Sequence, residues 1–476
     1  MPNKAVKHTI ENQFMKCSNT LLIFLPIAAA ILTIGACREN QPFPDTALDA
    51  RLSGGDNYTI FDASSSAFST MLPGMSGRDQ TVHGIGDTFF DSKFVSAPAP
   101  VNPGLGPIFN NTSCSGCHQR DGRGRPPLPG ESLRAMLFRI SIPGQAADGG
   151  PKPVPGFGTQ LQDKAVAGSQ PEANVAISYT DRFDTLEDGT IVSLRVPHYR
   201  ITAPYKSLPP DVLISPRIAS QTIGSGLIEA VPDWELLEHA DPEDQDGDGI
   251  SGKANMVYNY TTGTVTVGRF GWKSNVADVL GQVASAFQQD MGVTNRVFPM
   301  ESSKGQAQDP GAESGVNLPD SVLHAVVFYM KTLAVPARRD VSDPMLQQGA
   351  RLFESIGCAK CHIPTLTTGV NMAFPYTSNQ VIHPYSDFLV HDMGPDLGDG
   401  RPDFQATGDE WRTAPLWGIG LTQKVSGYAY YLHDGRARSL TEAILWHGGE
   451  GSKSKAAFKR LSASDRDALL GFLNSL

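Results

Sequence analysis

The sequence predicts a mainly α, loop-rich protein of two similar helical domains, with long loops and small β insertions in the first. Three observations predict it. Glycine and proline number 48 and 35 in 476 residues, which favours ordered loops over a regular alternation of elements. The run Cys114-Ser115-Gly116-Cys117-His118 recurs in kind as Cys358-Ala359-Lys360-Cys361-His362, and segments of helical periodicity flank each copy. The length suffices for roughly two to four domains with a substantial core.

The N-terminal segment reads as an address. Met15 and Lys16 precede an apolar run, Leu21 to Ile34, too short for a typical membrane span, which leads into Leu32-Thr33-Ile34-Gly35-Ala36-Cys37. Small residues ahead of a cysteine resemble the cleavage site of bacterial lipoproteins. Residues 1–36 are therefore expected to be a signal peptide and Cys37 the lipidated residue, with an uncleaved membrane anchor as the alternative. Arg38 follows where an aspartate commonly signals inner-membrane retention, which points to an exported lipoprotein of the outer membrane facing the periplasm. Residues 37–80 form an extension, 81–335 the first domain and 336–476 the second, divided near Val335-Pro336-Ala337-Arg338-Arg339.

Cysteine arithmetic closes on the two motifs. Of six cysteines, Cys17 leaves with the signal and Cys37 takes the lipid, so the four that remain are Cys114, Cys117, Cys358 and Cys361, and none is left for a disulfide. Two thiols spaced to meet two vinyl groups, followed at once by a histidine that reaches the iron, are what covalent haem attachment needs. Two covalently bound haem c groups follow, with His118 and His362 as iron ligands. A thioredoxin-like pair requires neither the histidine nor a second copy, and structural zinc is the other reading set aside. A formal net charge of -10 with 18% charged residues leaves no basic face for nucleic acid.

The elements repeat around the motifs. Gly86-Asp87-Thr88-Phe89-Phe90 before the first and Gly349-Ala350-Arg351-Leu352-Phe353 before the second share a glycine-to-phenylalanine interval, and both look like the opening helix of a cytochrome c domain. Closing helices are predicted for Ser321 to Leu333, with Val322, Val326, Tyr329 and Leu333 on one stripe, and for Asp465 to Leu476, with Leu469, Phe472, Leu473 and Leu476. β-Branched residues in Val175 to Tyr205 and Thr261 to Arg269 predict short strands. Ser439 with Glu442 has the capping-box pattern, starting a helix on which Leu440, Ala443, Ile444 and His447 share an inward face before Gly448-Gly449 stops it. Asp244-Gln245-Asp246-Gly247-Asp248-Gly249-Ile250 alternates carboxylates around a turn glycine, so Asp244, Asp246, Asp248 and the Ile250 carbonyl form a candidate calcium loop. Asn255 stands where an EF-hand has its bidentate glutamate, which argues for a simpler loop.

Two further segments carry a resemblance. Glu410-Trp411-Arg412-Thr413-Ala414-Pro415-Leu416-Trp417 and Tyr431-Leu432-His433-Asp434-Gly435-Arg436-Ala437-Arg438-Ser439-Leu440-Thr441-Glu442-Ala443-Ile444 resemble the C-terminal domain of bacterial dihaem cytochrome c peroxidases. Through Gly106-Pro107-Ile108-Phe109-Asn110, Gln160-Leu161-Gln162-Asp163 and Arg269-Phe270-Gly271-Trp272-Lys273, nearly all of the mature chain resembles a related dihaem oxidoreductase family.

The resemblance implies two cytochrome c-like haem domains. One haem stays six-coordinate and takes electrons from a small periplasmic donor, a cytochrome or copper protein, while the other offers an open face to peroxide. The substrate is peroxide, or a small molecule or protein oxidised at its expense. It implies His447 as the extra ligand of the second haem, since the equivalent peroxidase helix carries a methionine ligand. Met393 and His391 compete for that role, and His433 reads as a turn residue. Glu172, beyond Gln160-Leu161-Gln162-Asp163-Lys164-Ala165, is implied as the catalytic acid-base group at the first haem, and Trp272 as a relay between haems. A non-catalytic electron carrier is the alternative, against which the long loops around the first haem argue.

Overall fold

The computed structural model describes residues 49–476 apart from 129 and 312–314; the expected signal segment 1–36 and Cys37 lie outside the described residues. Helices flanking the two cysteine motifs form where patterning and caps place them. Gly77–Asp91 begins on Ser76, whose hydroxyl accepts from Asp79 N at 3.2 Å, and packs across Asp320–Thr332. Pro344–Ser355, capped by Asp343, packs across Ala463–Ser475, capped by Ser462. Each crossing is made at a glycine. A Cβ on Gly86 would lie 2.1 Å from Ala325 O, and one on Gly349 would lie 1.9 Å from Ala468 O, so only the missing side chain lets the backbones meet.

The fold is not mainly α. Among the described residues helix makes up only 29% and strand 20%, spread over several small sheets. Much of the strand lies between the first motif and Asp320. Asn174–Thr185 and Ile191–Thr202 form a twelve-rung antiparallel hairpin, paired from Asn174↔Thr202 to Thr185↔Ile191. Met136–Gln145 pairs antiparallel with Leu213–Ile218 and with two-residue strands at Pro151–Lys152 and Gln160–Leu161. The β-branched alternation of the hairpin and of Thr264–Val267 carries a period-two signal. Pairs of two or three residues, such as Val390–Asp392 with Glu410–Arg412, carry none, because so short a strand spans no more than one period of the alternation.

Two buried clusters organise the core. Phe90, Phe287, Tyr329 and Trp417 belong to one, around the first motif. Phe353, Trp446 and Phe472 belong to the other, and Phe138 of the sheet and Leu194 of the hairpin join it. The insertions of the first half thus pack onto the second motif's helices, with Tyr199 OH donating to Asp434 Oδ2 at 2.8 Å and Lys459 meeting Asp184 at 2.6 Å. The described residues, 49–476, form one compact unit. Pro336, taken as the domain boundary, is buried with Val335 in a parallel pair with Thr59–Ile60. No helix of the described residues is long and apolar enough to cross a membrane.

Candidate functional site

Each cysteine motif opens onto a cavity. One is lined by Cys114, Cys117 and His118 with Phe90, Trp272 and Asp290; the other is lined by Cys358, Cys361 and His362 with Phe353, Trp411 and His447. The frames match. The Phe90 and His118 rings stand 6.2 Å apart at 53°, and the Phe353 and His362 rings 6.2 Å apart at 55°. His118 Nδ1 donates to Ser220 O at 2.7 Å and His362 Nδ1 to Tyr385 O at 2.9 Å. A carbonyl only accepts, so both rings carry the proton on Nδ1 and keep the Nε2 lone pair for a metal. Burial lowers the pKa of His118 and brings His362 to about 4, which holds both rings neutral.

The donor set fits haem. Four free cysteines sit beside two neutral histidines of fixed tautomer, and burial raises every one of the four thiols, Cys117 and Cys358 to about 12. A redox pair needs a thiolate at neutral pH, and these protonated thiols do not supply one.

His447 faces the same cavity as His362. Its helix, Leu440–Trp446, starts on Ser439, whose hydroxyl accepts from Glu442 N at 3.1 Å. Only that half of the capping box is made: the Glu442 carboxylate accepts instead from Arg438 N at 2.7 Å and from Arg195 N. The helix ends one residue early and leaves His447 extended at its C-cap, with Nδ1 donating to Ala443 O at 2.8 Å. This is the arrangement of His118 and His362 again, and burial lowers its pKa too. Met393 lines the cavity as well. His391 lines it too, but both ring nitrogens face carboxylates, with Nε2 2.8 Å from Asp387 Oδ2 and Nδ1 2.6 Å from Glu450 Oε2. His433 stacks on Trp411 at 3.6 Å and 7°, its main chain bonded to the sheet through Ile218 N.

Trp272 lies in the wall common to the two cavities, together with Arg412 and Pro415. Its indole N–H donates to Ile218 O at 2.8 Å, and the Arg123 guanidinium sits 5.3 Å over its ring. Glu172 is not among the residues lining the first cavity. It is fully buried, with Oε2 accepting from Gln162 N at 2.6 Å, Oε1 without a partner, and a pKa raised by burial to about 8. The polar groups that do line the first cavity include Arg139, Gln282 and Asp290, which sequence reasoning missed. Gln282 and Asp290 lie two turns apart on Val279–Met291, a spacing that was available but was not attached to either motif. Asp290 accepts from Gln160 Nε2 at 2.7 Å, and burial raises its pKa.

The acidic turn is rearranged from its expected form. Asp241, Asp244 and Asp246 bring carboxylate oxygens within 4.8 Å of one another. Asp248 turns away to Lys360 of the second motif at 2.7 Å, and Ile250 lines the second cavity.

No curated protein matches the chain. Among solved structures the chain is similar to hydrazine synthase of Kuenenia stuttgartiensis, at 13% identity and a TM-score of 0.31 over 95% of this chain and 100% of that one. It is also similar to a MauG-like protein associated with microbial copper homeostasis, at 14% identity and a TM-score of 0.27 over 53% of this chain and 90% of that one. Residues 47–476, which contain both cavities, match the family model described as "Di-haem oxidoreductase, putative peroxidase", and the chain belongs to that family.

Proposed function

We propose that this haem oxidoreductase is a dihaem c-type enzyme that reduces peroxide, or spends it on oxidising another molecule, with electrons from a small periplasmic cytochrome or copper protein. The observation that carries the reading is the asymmetry of two otherwise matching cavities. The second presents His447 as well as His362, whereas among the described residues His118 is the one histidine lining the first. In this reading Cys114 and Cys117 hold one haem and Cys358 and Cys361 the other, with His118 and His362 on the irons. His447 would be the further ligand of the second iron and would hold that haem for electron transfer. Bound haem supplies the one-electron redox chemistry. The protein's own contribution is to fix the histidine tautomers, exclude water behind Phe90 and Phe353, and place Trp272 between the two centres as the relay.

In the first cavity Asp290 replaces Glu172 as the group placed to hold a proton near the reacting face, with Arg139 beside it. The reading extends to export and anchoring through Cys37, and to calcium in the acidic turn, with Asp241 standing in for Asp248 because Lys360 holds the latter. Absorption spectra of the purified protein with and without peroxide test the function. A high-spin haem whose spectrum changes on adding peroxide is expected. Two low-spin haems inert to peroxide would establish an electron carrier instead.

A further inference from the structure

Most buried cations in this protein have a compensating anion. Arg217 and Arg401 share Asp403 at 2.9 and 3.1 Å, Arg436 meets Asp434 at 2.9 Å, and Lys273 meets Asp399 at 3.2 Å. Arg139, on the first cavity, has Asp290 as its strongest compensating charge. Arg123 and Arg412 differ. They are 5% and 9% exposed, and among the described residues no acidic side chain acts on either: burial dominates both, followed by the Tyr431 phenol for Arg123 and by Arg123 itself for Arg412. Two like charges have therefore been brought into one interior with nothing opposite.

Their hydrogen bonds leave the same gap. Arg123 Nη2 donates to Leu432 O at 3.3 Å and Arg412 Nη1 to Arg269 O at 2.6 Å. The Nε–H of each is buried without a partner. The Trp272 and Tyr431 rings, 5.3 and 5.9 Å from the Arg123 guanidinium, offer it some cation–π compensation and offer Arg412 none. An interior that leaves a guanidinium without an anion and its N–H without an acceptor is strongly destabilised, so the missing partner is an anion brought by what fills the cavity. Both arginines line the second cavity, and Arg412 lines the first as well. The cavity's other walls include Phe353, Leu440, Leu469 and Trp411, which suit a flat apolar body with carboxylates at one edge, and a guanidinium fork matches a carboxylate in shape and charge.

We propose that Arg123 and Arg412 form the clamp for the propionates of the second haem, and that Arg412, in the wall shared by the cavities, sets the potential of both haems. The inference rests on the reading that haem fills each cavity. A fixed positive charge favours the reduced haem, so its removal lowers the potential while the propionate stays ionised. Spectroelectrochemical titration at pH 8 of the full chain, with covalent haem counted by staining, is the test. Arg123→Met should lower the potential of the low-spin haem alone. Arg412→Met should lower both potentials, and Arg412→Lys should stay nearer the parent. Methionine variants that carry two haems at parental potentials would overturn the clamp and leave the haem reading standing. A parent chain without covalent haem would overturn both. Should the methionine variants fail to accumulate, resonance Raman of the parent decides: the propionate bending bands should move between H2O and D2O, and unmoved bands would refute the contact.

Discussion

Gly84 and Gly86 lie on one helix, Gly77–Asp91, and an added methyl group meets opposite surroundings at the two positions. At Gly84 nothing stands within 4 Å; at Gly86 the methyl would lie 2.1 Å from Ala325 O and 2.6 Å from Tyr329 Cβ. Alanine is worth about 0.8–1.0 kcal/mol over glycine in a helix interior, so Gly84→Ala should stabilise by close to that amount. At Gly86 the same gain is opposed by overpacking, which typically costs about 1–3 kcal/mol and here lies at the upper end, because the obstacle is backbone that must retreat by more than 1 Å. Gly86→Ala should therefore be destabilising by about 1–2 kcal/mol net. The displacement would be felt at the first motif, since Phe90 packs on Tyr329 at 5.2 Å and on His118 at 6.2 Å. Urea unfolding of the haem-loaded protein, followed by fluorescence and by the haem band, should show a raised midpoint for Gly84→Ala and a lowered one for Gly86→Ala. Midpoints that move the same way in both variants would refute the argument that the glycine is there to let two helices touch.

Replacing Cys114 with Cys117, or Cys358 with Cys361, by alanine should each remove one haem from denatured protein on a haem-stained gel; a stable parent with no covalent haem would end the c-type reading. Cys37→Ser should leave the protein soluble or unprocessed where the parent partitions into detergent, and equal partitioning would exclude the lipid anchor. His447→Ala should open the second haem to a high-spin form or to added imidazole, and His447→Met should keep it six-coordinate at a raised potential; unchanged low-spin resonance signals in the alanine variant would move the ligand to Met393. Burial raises the Glu172 carboxyl to about 8 from the ordinary 4.5 of a glutamate, so the fold favours its protonated form. The parent should then lose stability as pH rises from about 4.5 towards 8, Glu172→Gln should flatten that part of the profile, and identical profiles would show that the carboxyl is solvated.

What was legible in the sequence was local. The two Cys-x-x-Cys-His runs, the glycine-to-phenylalanine interval before each, and the serine cap at position 439 all work within one or two helical turns, and their geometry follows from spacing. What was not legible depends on partners far along the chain. The short pairs that make the fold a mixture of helix and strand join residues such as His391 and Trp411, and no periodicity announces a three-residue strand. The pairing of Asp248, in the acidic turn, with Lys360 of the second motif joins positions more than a hundred residues apart. Glu172 follows the right loop in sequence yet folds under Gln162 rather than into the cavity. Arg412 lay within a segment whose resemblance was plain, but nothing in a lone arginine reveals that it will be buried without an anion.

The two cavities share a frame because the frame answers a requirement common to both. Holding a flat ring against a histidine of fixed tautomer needs a close helix crossing, an aromatic beside the imidazole and a carbonyl on Nδ1, and all three recur with ring distances that agree at 6.2 Å. The rest of each lining is free of the requirement, and there the copies part. One presents His447 on a carbonyl of its own helix; the other presents Arg139, Gln282 and Asp290. An iron with histidine on both sides can exchange electrons but cannot admit a ligand without losing one, whereas polar groups around an open face can orient a small oxidant and hold its proton. In the proposed reading, a chain that needed only to pass electrons would gain nothing from making its two halves differ in this way. The difference acquires a purpose if one centre collects electrons for the other, and the wall between them, with Trp272 and Arg412 facing both cavities, is then where substitutions should uncouple the two without removing either.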